Sequence, residues 1–367
     1  MKIAPQKNVR SGIALIIVML VILVLATLAG AFAYSMKVET TLARNANNES
    51  QLEWLGRSGV ELARYVIAEQ AKVPGEGNYE SLNQKWAGGP GGLGTTNSSL
   101  ADISLENNQL GEGTYSVKIT DLERKFNINM ADSFVLEQAL VNLVGVDSSL
   151  YPTIKDSILD WMDKNDDPGL SGAESDYYMS LDPPYMAKNG PMADISELLL
   201  IKGISDNPEI YWGSNSTNHP PAAFRAHNTD RPFDDLHQIS YPVGLVDIFT
   251  TLSNGKINLN TASVTTLQMI PGIDENIAAG IINLRAGVDG ADGTDDDTPL
   301  QRPDDIGNVP GLNPVAAKEI SRYCGVRSST FEVQVDVQIG GVSRQYFAVI
   351  HRGNRPNDFA ILKFYWK

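Results

Sequence analysis

Residues 13–36 read IALIIVMLVILVLATLAGAFAYSM, 24 positions without a charged side chain, directly after Lys2, Lys7, Arg10 and the pair Ser11-Gly12. A helix rises about 1.5 Å per residue, so this block is long enough to cross a hydrocarbon core of about 30 Å. The cations ahead of it favour a cytoplasmic N-terminus, which places everything after Lys37 on the far side of the membrane. A cleaved secretory signal fits poorly, because its apolar core runs about 7–15 residues and ends at a small-residue cleavage site.

The helical pattern does not stop with the apolar block. Val38, Leu42 and Ala46, then Leu52, Leu55, Gly59, Leu62 and Val66, recur mostly at three- and four-residue spacing, and Glu53 stands four residues before Arg57 in the supportive order. The spacing predicts one long helix, apolar over 13–36 and amphipathic over 37–73, ending before Pro74-Gly75. Period-two alternation marks Thr114–Thr120 as a strand and returns only near the C-terminus, in Phe331–Ile339, Arg344–Ile350 and Ala360–Trp366, with Gly340-Gly341 as a hairpin turn. Between about 127 and 327 the pattern is mainly helical. The expected fold class is therefore α+β: an antiparallel sheet head in two pieces, residues 74–126 and 328–367, interrupted by an inserted helical domain at 127–327.

Composition narrows the function. A chain of 367 residues with 42% hydrophobic content exceeds one small core. Its net charge is −15, and with Lys2, Lys7 and Arg10 on the other side of the membrane the exported part is more acidic still. Such a surface repels nucleic acid and anionic headgroups and favours cations. Cys324 is the only cysteine, which excludes an intrachain disulfide and reads as a buried structural thiol. Enzyme signatures are missing from the sequence: there is no Gly-x-Ser-x-Gly elbow and no His-Glu-x-x-His pair, and His219, His227, His237 and His351 are scattered. Gly89-Pro90-Gly91-Gly92-Leu93-Gly94 has the spacing of a dinucleotide loop, but no strand precedes it and a proline occupies its turn, so it reads as a surface loop.

The insert repeats itself. Lys125-Phe126-Asn127-Ile128-Asn129-Met130-Ala131 returns as Lys256-Ile257-Asn258-Leu259-Asn260-Thr261-Ala262, and Asn129 and Asn260 are expected to begin helix caps. Apolar-x-Gly-apolar turns follow at Gly145, Gly203, Gly272 and Gly311, where glycine suits tight or positive-φ geometry between paired helices. The segment Ile257–Ala262 through Ile270-Pro271-Gly272-Ile273 resembles the helix-hairpin-helix superfamily, which often binds DNA through hairpin amides and nearby cations. Here Asp274 and Glu275 outnumber Arg285, so a structural role is expected and nucleic acid is not an expected partner.

The densest chemistry lies at Asp160, Asp163, Asp166, Asp167, Glu174 and Asp176, six acidic groups within 17 positions, among Pro168, Gly169 and Gly172 and with no histidine or cysteine nearby. Hard oxygen donors on a bent backbone suit Ca²⁺ and disfavour Zn²⁺, while a solvated acidic loop has the same composition. The run Asp289–Asp297 is a second acidic loop without the terminal bidentate Glu of an EF-hand, and reads as a solvated linker in preference to a second Ca²⁺ site.

The short basic leader, Gly12 and Ile13-Ala14-Leu15-Ile16-Ile17-Val18 resemble the class III leader of type IV pilins and pseudopilins. That resemblance implies a leader peptide at 1–12, cleavage by prepilin peptidase between Gly12 and Ile13, methylation of Ile13, and a transmembrane helix at 13–36. Most of that family carries Glu at the fifth mature residue; Ile17 stands there, as is typical of the K-type minor subunit of type II secretion. The Asp-Trp-x-Asp segment with Gly-Ala-Glu and Tyr-Tyr, the Asn-Leu-Asn-Thr-Ala hairpin and the closing strands follow in the order of that K subunit, over almost the whole chain. The resemblance implies a single-pass inner-membrane protein with a cytoplasmic N-terminus and a periplasmic head. It further implies a minor pseudopilin that caps the pseudopilus tip with minor pseudopilins I and J, helps initiate assembly for export of folded proteins, and binds Ca²⁺ through some of Asp160, Asp163, Asp166, Asp167, Glu174 and Asp176. A type IV minor pilin shares the stem but not generally the hairpin insert, and a competence-type DNA receptor shares the hairpins.

Overall fold

The structure is a computed structural model covering residues 11–92, 95–213, 241–312, 317–318, 320–353, 355 and 358–367. The first ten leader residues, His219, His227 and His237 lie outside the described residues. Helix α1 spans Ser11–Gln70 and is 60 residues long, about 90 Å at the α-helical rise. It closes slightly before the expected end, with Ala71 N–H donating to Ile67 O and Lys72 N–H to Glu69 O. The helices after it are short: α2 (Ser133–Glu137), α3 (Tyr151–Met162), α4 (Ser175–Met179), α5 (Glu209–Trp212), α6 (Leu245–Ile248), α7 (Val264–Leu267) and α8 (Glu275–Arg285). The strands are β1 (Asn108–Leu110), β2 (Gly113–Asp121), β3 (Phe126–Asn127), β4 (Phe249–Thr250), β5 (Ile257–Asn258), β6 (Cys324–Gly325), β7 (Thr330–Ile339), β8 (Val342–Arg352) and β9 (Phe359–Trp366).

Strands β1, β2, β7, β8 and β9 form one antiparallel sheet in that order. The alternation read from sequence places Val333, Val335 and Val337 in the core against Leu52, Leu55, Val60, Ala63, Val66 and Ile67 of α1. Gly56 and Gly59 make that approach possible: a Cβ on Gly56 would press into the Tyr346 ring, and one on Gly59 into the Val335 side chain. The stem stripe is corrected in its lower part. Val38, Leu42 and Ala46 are exposed, and burial against the sheet starts at Leu52.

Helix α1 and strand β7 run in opposite directions. Gly340 sits beside Asn48, Tyr346 beside Gly56 and Val335 beside Gly59. From Val335 the strand continues to Phe331, which pairs with Asp121 at the end of β2, about 13 Å further from the apolar block at the rise of a strand. The insert leaves the sheet after Asp121 and returns at Thr330, so it is attached at the membrane-distal end of the head.

The insert has its own core, including Ile128, Leu136, Leu140, Ile154, Trp161, Tyr178, Ile257, Leu267 and Ile281. Each copy of the repeated motif forms a two-residue parallel pairing, β3 with β4 and β5 with β6. The expected caps are corrected. The first asparagine of each motif caps the turn, Asn127 accepting from Asn129 N–H and Asn258 from Asn260 N–H. The second reaches a distant backbone in both directions, Asn129 to Met192 and Asn260 to Leu300. The helices are capped instead by Asp132 and Ser263. Gly145, Gly203, Gly272 and Gly311 have φ of 84°, 88°, 83° and 88°, values that glycine adopts without a Cβ penalty. Cys324 is buried, which pushes its thiol up to about 12 and leaves it an inert core group.

Candidate metal centre in the inserted domain

Helix α3 carries Asp160 and Trp161 into the core on one face and ends at Asp163, whose N–H donates to Leu159 O and whose carboxylate accepts Asn165 N–H at 3.1 Å. The chain then loops over the helix end. Gly169 N–H donates to both Asp160 oxygens (3.1 and 3.0 Å) and Ala173 N–H to Oδ2 (2.9 Å). A Cβ on Gly172 would overlap the Asp160 carboxylate, so that close passage requires glycine. The loop delivers Glu174, just ahead of α4, to Asp160 and Asp163. Ligand-capable oxygens of these three groups all lie within 4.8 Å of one another.

Glu174 is only 3% exposed, and neither of its oxygens has a hydrogen-bond partner. Burial, then the charges of Asp160, Asp163 and Asp166, push its carboxyl up to about 7. Burial also raises Asp160 against the opposing pull of the Gly169 and Ala173 amides. Two buried, mutually repelling carboxylates beside a third leave net negative charge uncompensated. Asp166 lies alongside, accepting Ser175 N–H (3.2 Å) and Asn189 Nδ2 (3.3 Å), and hydrogen bonds from Ser175 and Asn189 hold it below the ordinary range. Asp167 and Asp176 are exposed and outside the three-residue group.

Two neighbours escape a reading for acidic clusters. Asp156, one helical turn before Asp160, accepts Ser171 N–H at 3.1 Å, and Lys202 donates to Gly172 O at 3.1 Å while its ammonium stands 4.9 Å from the Tyr177 ring centre. The i, i+4 spacing of Asp156 could have signalled its part; Lys202 arrives from the Gly203 turn with no local signal. The second acidic run is a loop closed on itself. Asp292 pairs with buried Arg285 at 2.6 Å, Asp296 accepts Val288 and Asp289 N–H, and Asp297 accepts Gly293 and Thr294 N–H.

A second polar cluster joins insert to head. Asp121, at the end of β2, accepts Glu123 N–H (2.8 Å), Asn258 Nδ2 (3.0 Å), Thr261 Oγ1 (2.6 Å) and Ser328 Oγ (2.6 Å). Glu123 accepts Ser329 Oγ (2.7 Å) and the Ser329 and Thr330 amides, and Glu80 accepts Ser328 N–H and pairs with Arg352. Burial and then the Asp121 charge raise Glu123 to about 8.

The comparisons with known proteins fall on these same regions. The family model for type II secretion system (T2SS), protein K, matches residues 124–211, which contain the whole acidic centre, and a helix-hairpin-helix motif model matches residues 253–289. Type II secretion system protein K of Pseudomonas aeruginosa is 23% identical over 356 residues, 94% of this chain and 89% of that protein. The chain is thus similar to protein K of type II secretion over almost its whole length. Protein K of Klebsiella pneumoniae is 27% identical over 209 residues, 53% of this chain and 58% of that protein. Among solved structures, the GspK–GspI–GspJ complex from enterotoxigenic Escherichia coli superposes with a TM-score of 0.60 at 18% identity, covering 89% of this chain and 99% of that one. That likeness is one of fold.

Proposed function

We propose that this minor pseudopilin stands at the tip of the type II secretion pseudopilus and helps initiate its assembly, in company with minor pseudopilins I and J. The observation that carries the reading is the attachment of the insert at the membrane-distal end of the head, where Asp121 meets Phe331. A subunit stacked above would have to occupy the same space as the described part of the insert. The relative in the GspK–GspI–GspJ complex supports I and J as the partners.

The apolar helix from Ile13 anchors the chain in the inner membrane, its N-terminus cytoplasmic and its head periplasmic, after prepilin peptidase removes residues 1–12. Ile17 lets such a chain begin a filament without placing an unpaired carboxylate in the apolar stem bundle. Labelling the C-terminal strand and imaging assembled pseudopili tests the position: label at one end is expected, and label along the shaft refutes it.

The acidic centre fits a hard divalent cation, and Ca²⁺ is the proposed occupant. Its donors are carboxylates alone, and Glu174 presents two buried oxygens that nothing else satisfies. Asp160, Asp163 and Glu174 would hold the ion, with Asp166 next to them. When bound, it supplies the positive charge that these carboxylates lack. Gly169 and Ala173 keep Asp160 in place, and Gly172 lets the loop close over it.

A further inference from the structure

Residues 188–197 lie between the acidic loop and the edge strand β9 and bond to both. On the insert side, the Trp161 indole N–H donates to Glu197 Oε2 (3.2 Å), Gly190 N–H to Trp161 O (3.4 Å), and Asn189 Nδ2 to Asp166 Oδ1 (3.3 Å). Trp161 directly follows Asp160, is buried, and meets Tyr178 edge-on with ring centres 5.2 Å apart. It cannot turn without moving the helix end that presents Asp160 and Asp163. On the head side, Lys363 of β9 donates to Ala193 O (3.2 Å) and Asp194 Oδ2 (3.0 Å).

A capping box connects the two sides. Glu197 Oε1 accepts Ala193 N–H (2.8 Å), Asp194 N–H (3.1 Å) and Lys188 Nζ (2.6 Å), while Asp194 Oδ1 accepts Ser196 N–H (3.1 Å). Met192, between them, is fixed by reciprocal bonds with the Asn129 side chain. One carboxylate, that of Glu197, thus touches Trp161 through one oxygen and sets through the other the turn that receives Lys363. Strand β9 has a single neighbour in the sheet, β8, where Phe364 and Tyr365 stack on Tyr346 and Phe347, and Arg57 and Arg64 of α1 lie over Phe364 and Phe359; Ile361, Leu362 and Trp366 are exposed, and Lys363 ties the strand to the insert.

We propose that Glu197 and Lys363 couple cation binding at the acidic loop to the order of the edge strand β9. The inference rests on cation binding by Asp160, Asp163 and Glu174 and adds a consequence in the head domain. A bound ion fixes the end of α3; Trp161 then holds Glu197, Glu197 holds the 193–194 turn, and that turn holds Lys363.

The test is hydrogen–deuterium exchange on the full chain in detergent micelles, in CaCl₂ or in chelator, read on peptides covering 160–176 and 359–367. Calcium is expected to slow exchange in both, by about fivefold or more in β9, the low end of ordinary coupling between sites. Lys363→Met keeps the aliphatic stem and removes the ammonium, and Glu197→Gln removes the charge from the cap. In either variant 160–176 should still respond to calcium while β9 no longer does. Protection of 160–176 with no response in wild-type β9, or a β9 response that survives Lys363→Met, overturns the coupling and leaves the metal centre standing. No response in either peptide overturns both.

Discussion

Replacing Glu174 by Gln should change stability in opposite directions with and without the cation. In chelator at pH 8 the wild-type carboxylate is ionised, buried and without a hydrogen-bond partner, facing Asp160 and Asp163. A carboxyl held near about 7 instead of its ordinary 4.5 represents about 1.4 kcal/mol of lost stability per pH unit of displacement once ionised. Because exposed Asp163 opens the cluster to solvent, that figure is discounted to about 1–2 kcal/mol in total. Gln has the same shape and no charge, so the metal-free variant should melt higher, by roughly 2–8 °C at about 2–4 °C per kcal/mol. With calcium at about a hundred times its dissociation constant the wild type gains about 2.7 kcal/mol by mass action. The variant, short of one anionic ligand, gains far less and falls below the wild type. Thermal melts of the full chain in micelles, followed by tryptophan fluorescence, give all four values. A Gln variant that is less stable than wild type in both conditions, or unaffected in both, refutes the assignment of Glu174 as a ligand held in an uncompensated pocket.

Three further outcomes follow from other parts of the structure. Gly59→Val drives a branched side chain into Val335 and should destabilise the head by about 1–3 kcal/mol, the usual cost of overpacking; an unchanged melting temperature would contradict the stem-on-sheet contact. Glu123 has a raised folded pKa of about 8, so its contribution to stability is full below about 4.5 and is lost as pH rises through 8, at up to about 1.4 kcal/mol per unit. Calcium-saturated protein should therefore unfold more readily at pH 8 than at pH 6, with Glu123→Gln flattening that trend in urea titrations. Mass spectrometry of the chain from a host with prepilin peptidase should find a methylated Ile13 at the N-terminus, and an intact leader or a cut beyond Met36 would exclude pseudopilin processing.

The periodic elements were legible in the sequence because local pattern determined them. The four expected strands of the head agree with their expected limits to within two residues at each end, since alternation is set by which face meets α1. Strand β1 carried no such signal, being three residues of polar Asn-Gln and one exposed Leu paired only to β2. The exposure of Val38, Leu42 and Ala46 was hidden for a different reason: apolar spacing shows that a helix has a face but not which molecule covers it. At the acidic loop, composition located the cluster but could not rank six carboxylates, because selection of Asp160, Asp163 and Glu174 depends on Gly169 and Gly172 folding the chain back over α3. The Asp121 cluster was out of reach, as its partners Asn258, Thr261 and Ser328 lie 137, 140 and 207 residues away.

That cluster explains how so large an insert is tolerated. Strands β2 and β7 are antiparallel neighbours, and Asp121 pairs directly with Phe331, so a short hairpin turn would close them. The protein instead places its helical domain there. Loop-closure entropy grows only with the logarithm of length, so lengthening a turn of about four residues to about two hundred costs roughly 3–4 kcal/mol. The hydrogen bonds that the Asp121 carboxylate accepts from Asn258, Thr261 and Ser328, which lie near the far end of the insert, offset this, at about 1.5–3 kcal/mol net for a bond to a charged group. The same cluster, by binding Asn258 and Thr261 of the second repeat, fixes the insert against the head instead of leaving it on a tether. A rigid domain at the membrane-distal end obstructs stacking from above, whereas a tethered one could swing aside. Loosening the junction with Asp121→Asn should therefore weaken the tip restriction before it abolishes assembly, and label on the C-terminal strand should then appear within the shaft of some pseudopili; label confined to one end in folded Asp121→Asn would show that rigidity at this junction is not what sets the position.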